Sequence, residues 1–214
     1  MSSEDEQIQQ RRANLAKLSE LGVNAYPHRF ERTSTITDLV QAHGGKDGPT
    51  LDGARIGTTT SGRILGIRSF GKANFLVLSD GRSRIQVYIK KDSLSERDFE
   101  IFRLLDFGDV IGVEGHLFRT RTNELTIFAS RIEFLAKCHL PLPEKWHGLT
   151  DIEIRYRQRY LDLIVNPDAR RVFETRARIV AETLYASRAV AASSTAPCAE
   201  RRSPDGLTTL GRRA

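Results

Sequence analysis

Only two cysteines, Cys138 and Cys198, occur in the 214 residues, far apart and outside any CxxC pair or Cys/His cluster. That leaves neither a disulfide framework nor a zinc ligand set, and a reducing cytoplasm is the default setting. Long apolar runs are missing as well. None approaches the roughly 18 residues that mark a membrane span, and the N-terminal SSEDEQIQQRRANLAKL lacks the apolar centre of a signal peptide. There is no GxxxxGKS loop, GxGxxG fingerprint, GxSxG elbow or HExxH helix. His28, His43, His116, His139 and His147 have no ligand spacing and read as ordinary structural or surface residues. The net charge of +6 favours an anionic partner without requiring one, and much of it sits in the arginines beyond Ser187.

What is present divides the chain. Residues 1–54 form an N-terminal helical extension: 4–22 read as an amphipathic helix on Ile8, Leu15, Leu18 and Leu21, stopped by Gly22. Asn24–Thr50 reads as irregular, with a short helix near Thr37–His43. From Arg55 the pattern changes to period two. Strands are expected at Ile64–Phe70, Asn74–Ser79 and Arg84–Lys90, the last two joined by an Asp80-Gly81 turn. Ile85, Val87 and Ile89 face inward in this reading, and Arg84, Gln86, Tyr88 and Lys90 outward. A helix follows over Ser95–Leu105, with Ser95 as cap and Asp98 as its capping-box partner. Asp109–Leu117 and Glu124–Leu135 make a second hairpin around Asn123. Glycines 62, 66, 71, 81, 108, 112 and 115 would allow sharp bends.

Three strands, a helix and two strands is the order of an OB-fold over 55–140, five strands closed into a barrel. The same order fits another small β-barrel or an open α+β sheet. Pro141 and Pro143 mark a linker over 141–150. Residues 151–185 turn helical and basic, with Arg155, Arg157 and Arg159 among Tyr156, Tyr160, Leu161 and Leu163. In 186–214 apolar periodicity is lost, as expected of a disordered tail. The whole is mainly β with flanking α.

The outer barrel face carries the chemistry. An outward Phe75 offers a surface for stacking a nucleobase. Gln86, across the Asp80-Gly81 turn, both donates and accepts and can read a base edge. Arg68 can stack on a base or pair with phosphate, and Glu124 can accept from a base amino or imino group. Lys72, Arg84, Arg119 and Arg121, with Arg82 and Lys90, supply positive charge for positioning phosphates. Each has an ordinary alternative: Phe75 as core, the rest as solvated surface. Together on one face they read as an RNA-binding module.

At GKANF, RIQVYI, RTRTNELTI and above all PLPEKWHGLTDIEIRYRQRYLDLI, the sequence resembles bacterial class II lysyl-tRNA synthetases, from the first helix to about residue 182. RYRQRYLDL at 155–163 is the most specific segment; related aspartyl and asparaginyl enzymes share a looser RYLDL. The resemblance implies an anticodon-binding OB-fold followed by the opening helices of a catalytic domain. It implies that Phe75 stacks on the central anticodon uridine, that Gln86 hydrogen-bonds that base, and that Arg68 and Glu124 also contact the anticodon of tRNA(Lys). The family joins lysine to tRNA using ATP and magnesium and is homodimeric through the first class II motif.

The departure comes after FETRARIV. The family continues into that motif, whereas this chain reads ETLYASRAVAASSTAPCAERRSPDGLTTLGRRA, as if translated in another frame. The second and third motifs, whose arginines hold ATP, are missing. The expectation is an anticodon-binding portion, possessing no catalytic residues, cofactor or metal site, whose oligomeric state the sequence leaves open. Alternatives are a fragment of a working enzyme, an independent OB-fold protein for single-stranded nucleic acid, or a partner for another synthetase subunit through 168–185.

Overall fold

The computed structural model describes residues 3–71, 73–142, 149 and 151–194. They fall into two compact units, Met1–Glu144 and Lys145–Ala214. Most of the expected linker at 141–150 and the tail beyond 194 lie outside the described residues.

In the first unit, β1 (Gly57–Phe70), β2 (Ala73–Ser79), β3 (Arg84–Lys90), β4 (Val110–Arg119) and β5 (Leu125–Ala136) form a closed barrel in the order β1-β2-β3-β5-β4. Closure makes it the OB-type barrel and removes the open-sheet alternative. β1 begins earlier than the sequence pattern indicated, because one long strand serves two partners. Its first half pairs antiparallel with β4 and its second half with β2, with a register break between Ile64 and Gly66. Such a break bends a strand and lets it turn a barrel corner. β3 and β5 close the barrel as a parallel pair, Gln86 opposite Thr126 and Tyr88 opposite Phe128.

The period-two reading of β2 and β3 holds. Leu76, Leu78, Ile85, Val87 and Ile89 are buried, whereas Phe75, Val77, Gln86 and Tyr88 are half-buried on the outer face. Each fully buried Leu, Ile or Val contributes about 1.5–3 kcal/mol relative to exposure, which fixes the register. The glycines serve close approach as much as bending. A Cβ on Gly112 would sit 2.3 Å from the Phe30 ring, so the segment that follows the first helix packs directly on β4.

Four helices surround the barrel: α1 (Ser3–Glu20), α2 (Ile36–His43), α3 (Gly48–Ala54) and α4 (Glu96–Arg103). α3 begins inside the stretch that read as irregular, which ended at Thr50; Asp47 caps it, accepting from Thr50 N at 3.3 Å, and Pro49 suits its first turn. α2 has a full capping box that the sequence reading missed, with Asp38 N donating to Thr35 Oγ1 and Thr35 N to Asp38 Oδ2, each at 3.1 Å. In α4, Ser95 caps as expected, but the Asp98 carboxylate accepts from Ile132 N at 3.4 Å and so ties the helix to β5 instead of completing a box.

α1 docks through a polar cluster. Lys137, fully buried, donates to Asp109 at 2.8 Å, to Asp106 at 2.5 Å and to the Leu104 carbonyl at 3.1 Å. Asn14 of α1 donates to Asp106 at 3.0 Å, and Arg11 to the Cys138 carbonyl at 2.7 Å.

The second unit consists of α5 (Ile152–Arg157), α6 (Arg159–Val165) and α7 (Pro167–Ser194). α7 runs past residue 185 into the stretch expected to be a disordered tail, as far as Ser194; alanine and arginine sustain a helix by propensity where apolar periodicity has ended. Asp162 is fully buried and accepts from Arg155 Nε at 2.9 Å, Asn166 Nδ2 at 2.6 Å and Arg159 Nη1. Burial opposes its ionisation, but those three donors outweigh it and hold the carboxyl below the usual carboxylate range. No helix among the described residues is long and apolar enough to cross a membrane.

Candidate nucleic-acid interface

β1, β2 and β3 present the candidate residues as neighbours on the outer wall. Arg68 lies opposite Phe75 across the β1–β2 hairpin, Phe75 opposite Tyr88, and Val77 opposite Gln86. Strand alternation puts Phe75 and Val77 on the same side, about 7 Å apart along β2. The Phe75 ring is half-buried rather than core, packed at 5.1 Å on Tyr88 and edge-on at 6.2 Å to Phe70, which is 69% exposed.

Beside that ring opens a cavity of about 440 Å³. Its walls include Arg68, Val77, Arg84, Gln86, Arg119, Glu124 and Leu125 from the barrel, and Val40 and Gly44 from α2 and its C-terminal end. Three of the four candidate base-reading residues, Arg68, Gln86 and Glu124, thus line one space, with Phe75 one pleat away. The Thr126 hydroxyl donates to Gln86 Oε1 at 3.1 Å. That fixes the amide and leaves its N–H donors without a partner among the described residues. Arg68, Arg84 and Glu124 are exposed. No described residue neutralises their charged groups.

The Arg119 guanidinium is engaged within the fold: its Nε donates to the Lys46 carbonyl at 2.6 Å, its Nη1 to the Asn123 carbonyl and its Nη2 to the Gly44 carbonyl. Lys72 lies outside the described residues. Arg121 is exposed in the β4–β5 turn, where Asn123 takes a left-handed conformation at φ 63°.

Sequence reasoning missed the wall supplied by α2 and an aromatic band. From Phe75 and Tyr88 the band continues to Phe128 at 5.5 Å and on to His116, stacked on Phe128 at 5.1 Å. Its signal was available: His116, Phe118 and Phe128 occupy outward positions alternating with Leu117, Ile127 and Ala129. The wall's signal was not, since Gly44 reaches the site only through folding.

Asp80 anchors α2 to the barrel. Its Oδ2 accepts from Thr37 N at 2.7 Å and Thr37 Oγ1 at 2.8 Å, and its Oδ1 from Arg82 N and Ser83 N at 2.9 Å. Burial works against its charge, but these donors prevail and lower its pKa. His43, at the end of α2, is held below its usual range by burial and then by Lys46.

A closed five-stranded barrel with an outward aromatic beside a cavity lined by Arg68, Gln86 and Glu124 has the architecture of an OB-fold, whose outer strand face serves oligonucleotide binding. Residues 58–135 match the family described as OB-fold nucleic acid binding domain, of the tRNA anticodon type. Over most of its length the chain is homologous to lysine–tRNA ligases. It is 45% identical over 179 residues to that of Anaeromyxobacter dehalogenans strain 2CP-C, covering 84% of this chain and 35% of the relative. Identity to the Magnetococcus marinus protein is 44%, covering 83% of this chain and 35% of the relative. For Bacillus subtilis strain 168 it is 43%, covering 82% and 35%. The chain therefore spans about a third of the length of these relatives.

Proposed function

We propose that this chain holds the anticodon loop of tRNA(Lys), as the anticodon-binding portion of a lysine–tRNA ligase. The convergence of Arg68, Gln86 and Glu124 on one cavity beside the Phe75 ring supports this reading. Phe75 stacks on the central uridine, Gln86 donates to a uracil carbonyl, and Glu124 accepts from the uracil N3–H. Arg68 lies on the base or its phosphate, and Arg84 and Arg121 meet the backbone.

The relatives are lysine–tRNA ligases, and the chain spans about a third of their length. Magnesium does not fit the cavity: its lining offers one carboxylate among guanidinium groups, whereas a hard cation takes an octahedron of oxygens. The cavity reads RNA and performs no phosphate chemistry.

Titration of the chain with a lysine-tRNA anticodon stem-loop at two salt concentrations tests the reading. Phe75→Ala is expected to weaken binding by about 1–3 kcal/mol without changing the circular-dichroism spectrum. Unchanged affinity in a folded variant removes the stacking role. The band from Phe75 to His116 favours a second reading, a platform for single strands of any sequence. That reading predicts equal affinity when the central uridine is replaced by cytidine.

A further inference from the structure

We infer that Arg119 is a positioning residue that latches two separate segments around the cavity and thereby sets its base specificity; the inference rests on the anticodon reading above. Its guanidinium bridges the walls. On one side it donates to the carbonyls of Gly44 and Lys46, just past the end of α2. On the other it donates to the carbonyl of Asn123, the residue before Glu124. Gly44 and Glu124 both line the cavity, and so does Arg119.

The latch makes a pocket out of a surface. An OB barrel alone offers an open wall, where stacking accepts any base because every base has a π-face. Here the segment after α2 closes that wall on one side. The turn at Asn123 is held a second time, by Thr120 N donating to the Glu124 carbonyl at 3.1 Å and Glu124 N to Thr120 Oγ1, also 3.1 Å. Arg119 couples this turn to the α2 wall, so the Glu124 carboxylate keeps its place relative to Gln86. The chemistry it discriminates is plain: uracil presents an N3–H donor to a carboxylate, whereas cytosine presents a bare N3 acceptor that a carboxylate repels. A planar fork of five donors suits a three-carbonyl latch, and a lysine ammonium reproduces only part of it.

The experiment uses the full chain with Arg119→Ala and Arg119→Lys. Binding is measured to anticodon stem-loops carrying uridine or cytidine at the central position, over a salt series, with far-UV circular dichroism and Tm for each variant. Arg119→Ala is expected to cut the preference for uridine by about tenfold, within the range of one base-edge contact. The slope of log affinity against log salt stays unchanged, because no phosphate contact is lost. Arg119→Lys falls between Arg119→Ala and the unaltered chain.

Two results with Arg119→Ala overturn the inference. One is an intact preference with a slope shallower by about 0.7, the signature of a lost single-strand phosphate contact. The other is an intact preference with a lowered Tm alone, which makes Arg119 scaffold only. If Arg119→Ala fails to fold, Arg119→Lys decides by the same preference ratio. A uridine preference in the unaltered chain that survives both substitutions sinks the latch and spares the anticodon reading. No preference in the unaltered chain sinks both.

Discussion

Gln86 shows how a single side chain becomes readable chemistry. Its outward place followed from alternation with Ile85 and Val87, but its orientation did not. Thr126, across the parallel β3–β5 pair, supplies that by donating to Gln86 Oε1. Thr126→Val keeps the shape and removes the hydroxyl, so the amide is free to rotate. The expected result is a loss of about 1 kcal/mol in anticodon stem-loop affinity with an unchanged fold, read by fluorescence anisotropy. Equal affinity would mean that Gln86 needs no orienting partner. Phe75, Gln86, Arg68 and Glu124 were legible because strand period and turn position suffice to place them. The partners of Arg119 were not legible, because a guanidinium at a strand end looks the same in sequence whether it faces phosphate or carbonyl oxygen. Two of its three partners lie more than seventy residues away along the chain.

At the scale of elements, strands were legible and the devices that fasten helices to them were not. Period two located β2 and β3, whereas nothing local announces that Asp80 in their turn holds the start of α2, or that Lys137 after β5 pairs with Asp106, the carboxylate that also accepts from Asn14 of α1. Both fastenings are charged, and both are testable. Lys137→Met leaves Asp109 buried without its cation and is expected to destabilise the barrel by about 3–5 kcal/mol in urea unfolding. A loss below about 1 kcal/mol would show that the cluster relaxes through its remaining hydrogen bonds. Asp80 adds a pH dependence whose sign is fixed. Its folded pKa lies below the ordinary 3.8, so its contribution is complete above that value and is lost as pH falls through the lowered one. Asp80→Asn is expected to flatten this acid limb of stability, followed by urea midpoints between pH 5 and pH 2. An unchanged limb would place the acid sensitivity in another carboxylate.

Across the whole molecule the two units differ in kind. The first has a continuous apolar core inside a closed sheet. In the second, the only fully buried side chain among the described residues is the Asp162 carboxylate, while Tyr156, Ile179, Val180, Leu184 and Tyr185 are exposed. The sequence hid this contrast, because Phe173, Ala177, Val180 and Leu184 are spaced like the stripe of any core-facing helix; in the fold Val180 and Leu184 stay exposed, and Phe173 is met by the Arg159 guanidinium at 5.2 Å. Helices held by hydrogen bonds to one carboxylate, with little apolar burial, open at low free energy, whereas a closed barrel opens only with its core. Limited proteolysis of the full chain should therefore cut within 145–214 first and leave a resistant fragment ending near Glu144, identified by mass spectrometry. Adding the anticodon stem-loop should protect that fragment further at high protease, since a ligand of the barrel raises its stability by mass action. Initial cleavage inside β1–β5, or simultaneous loss of both units, would show that the barrel depends on the second unit for its stability.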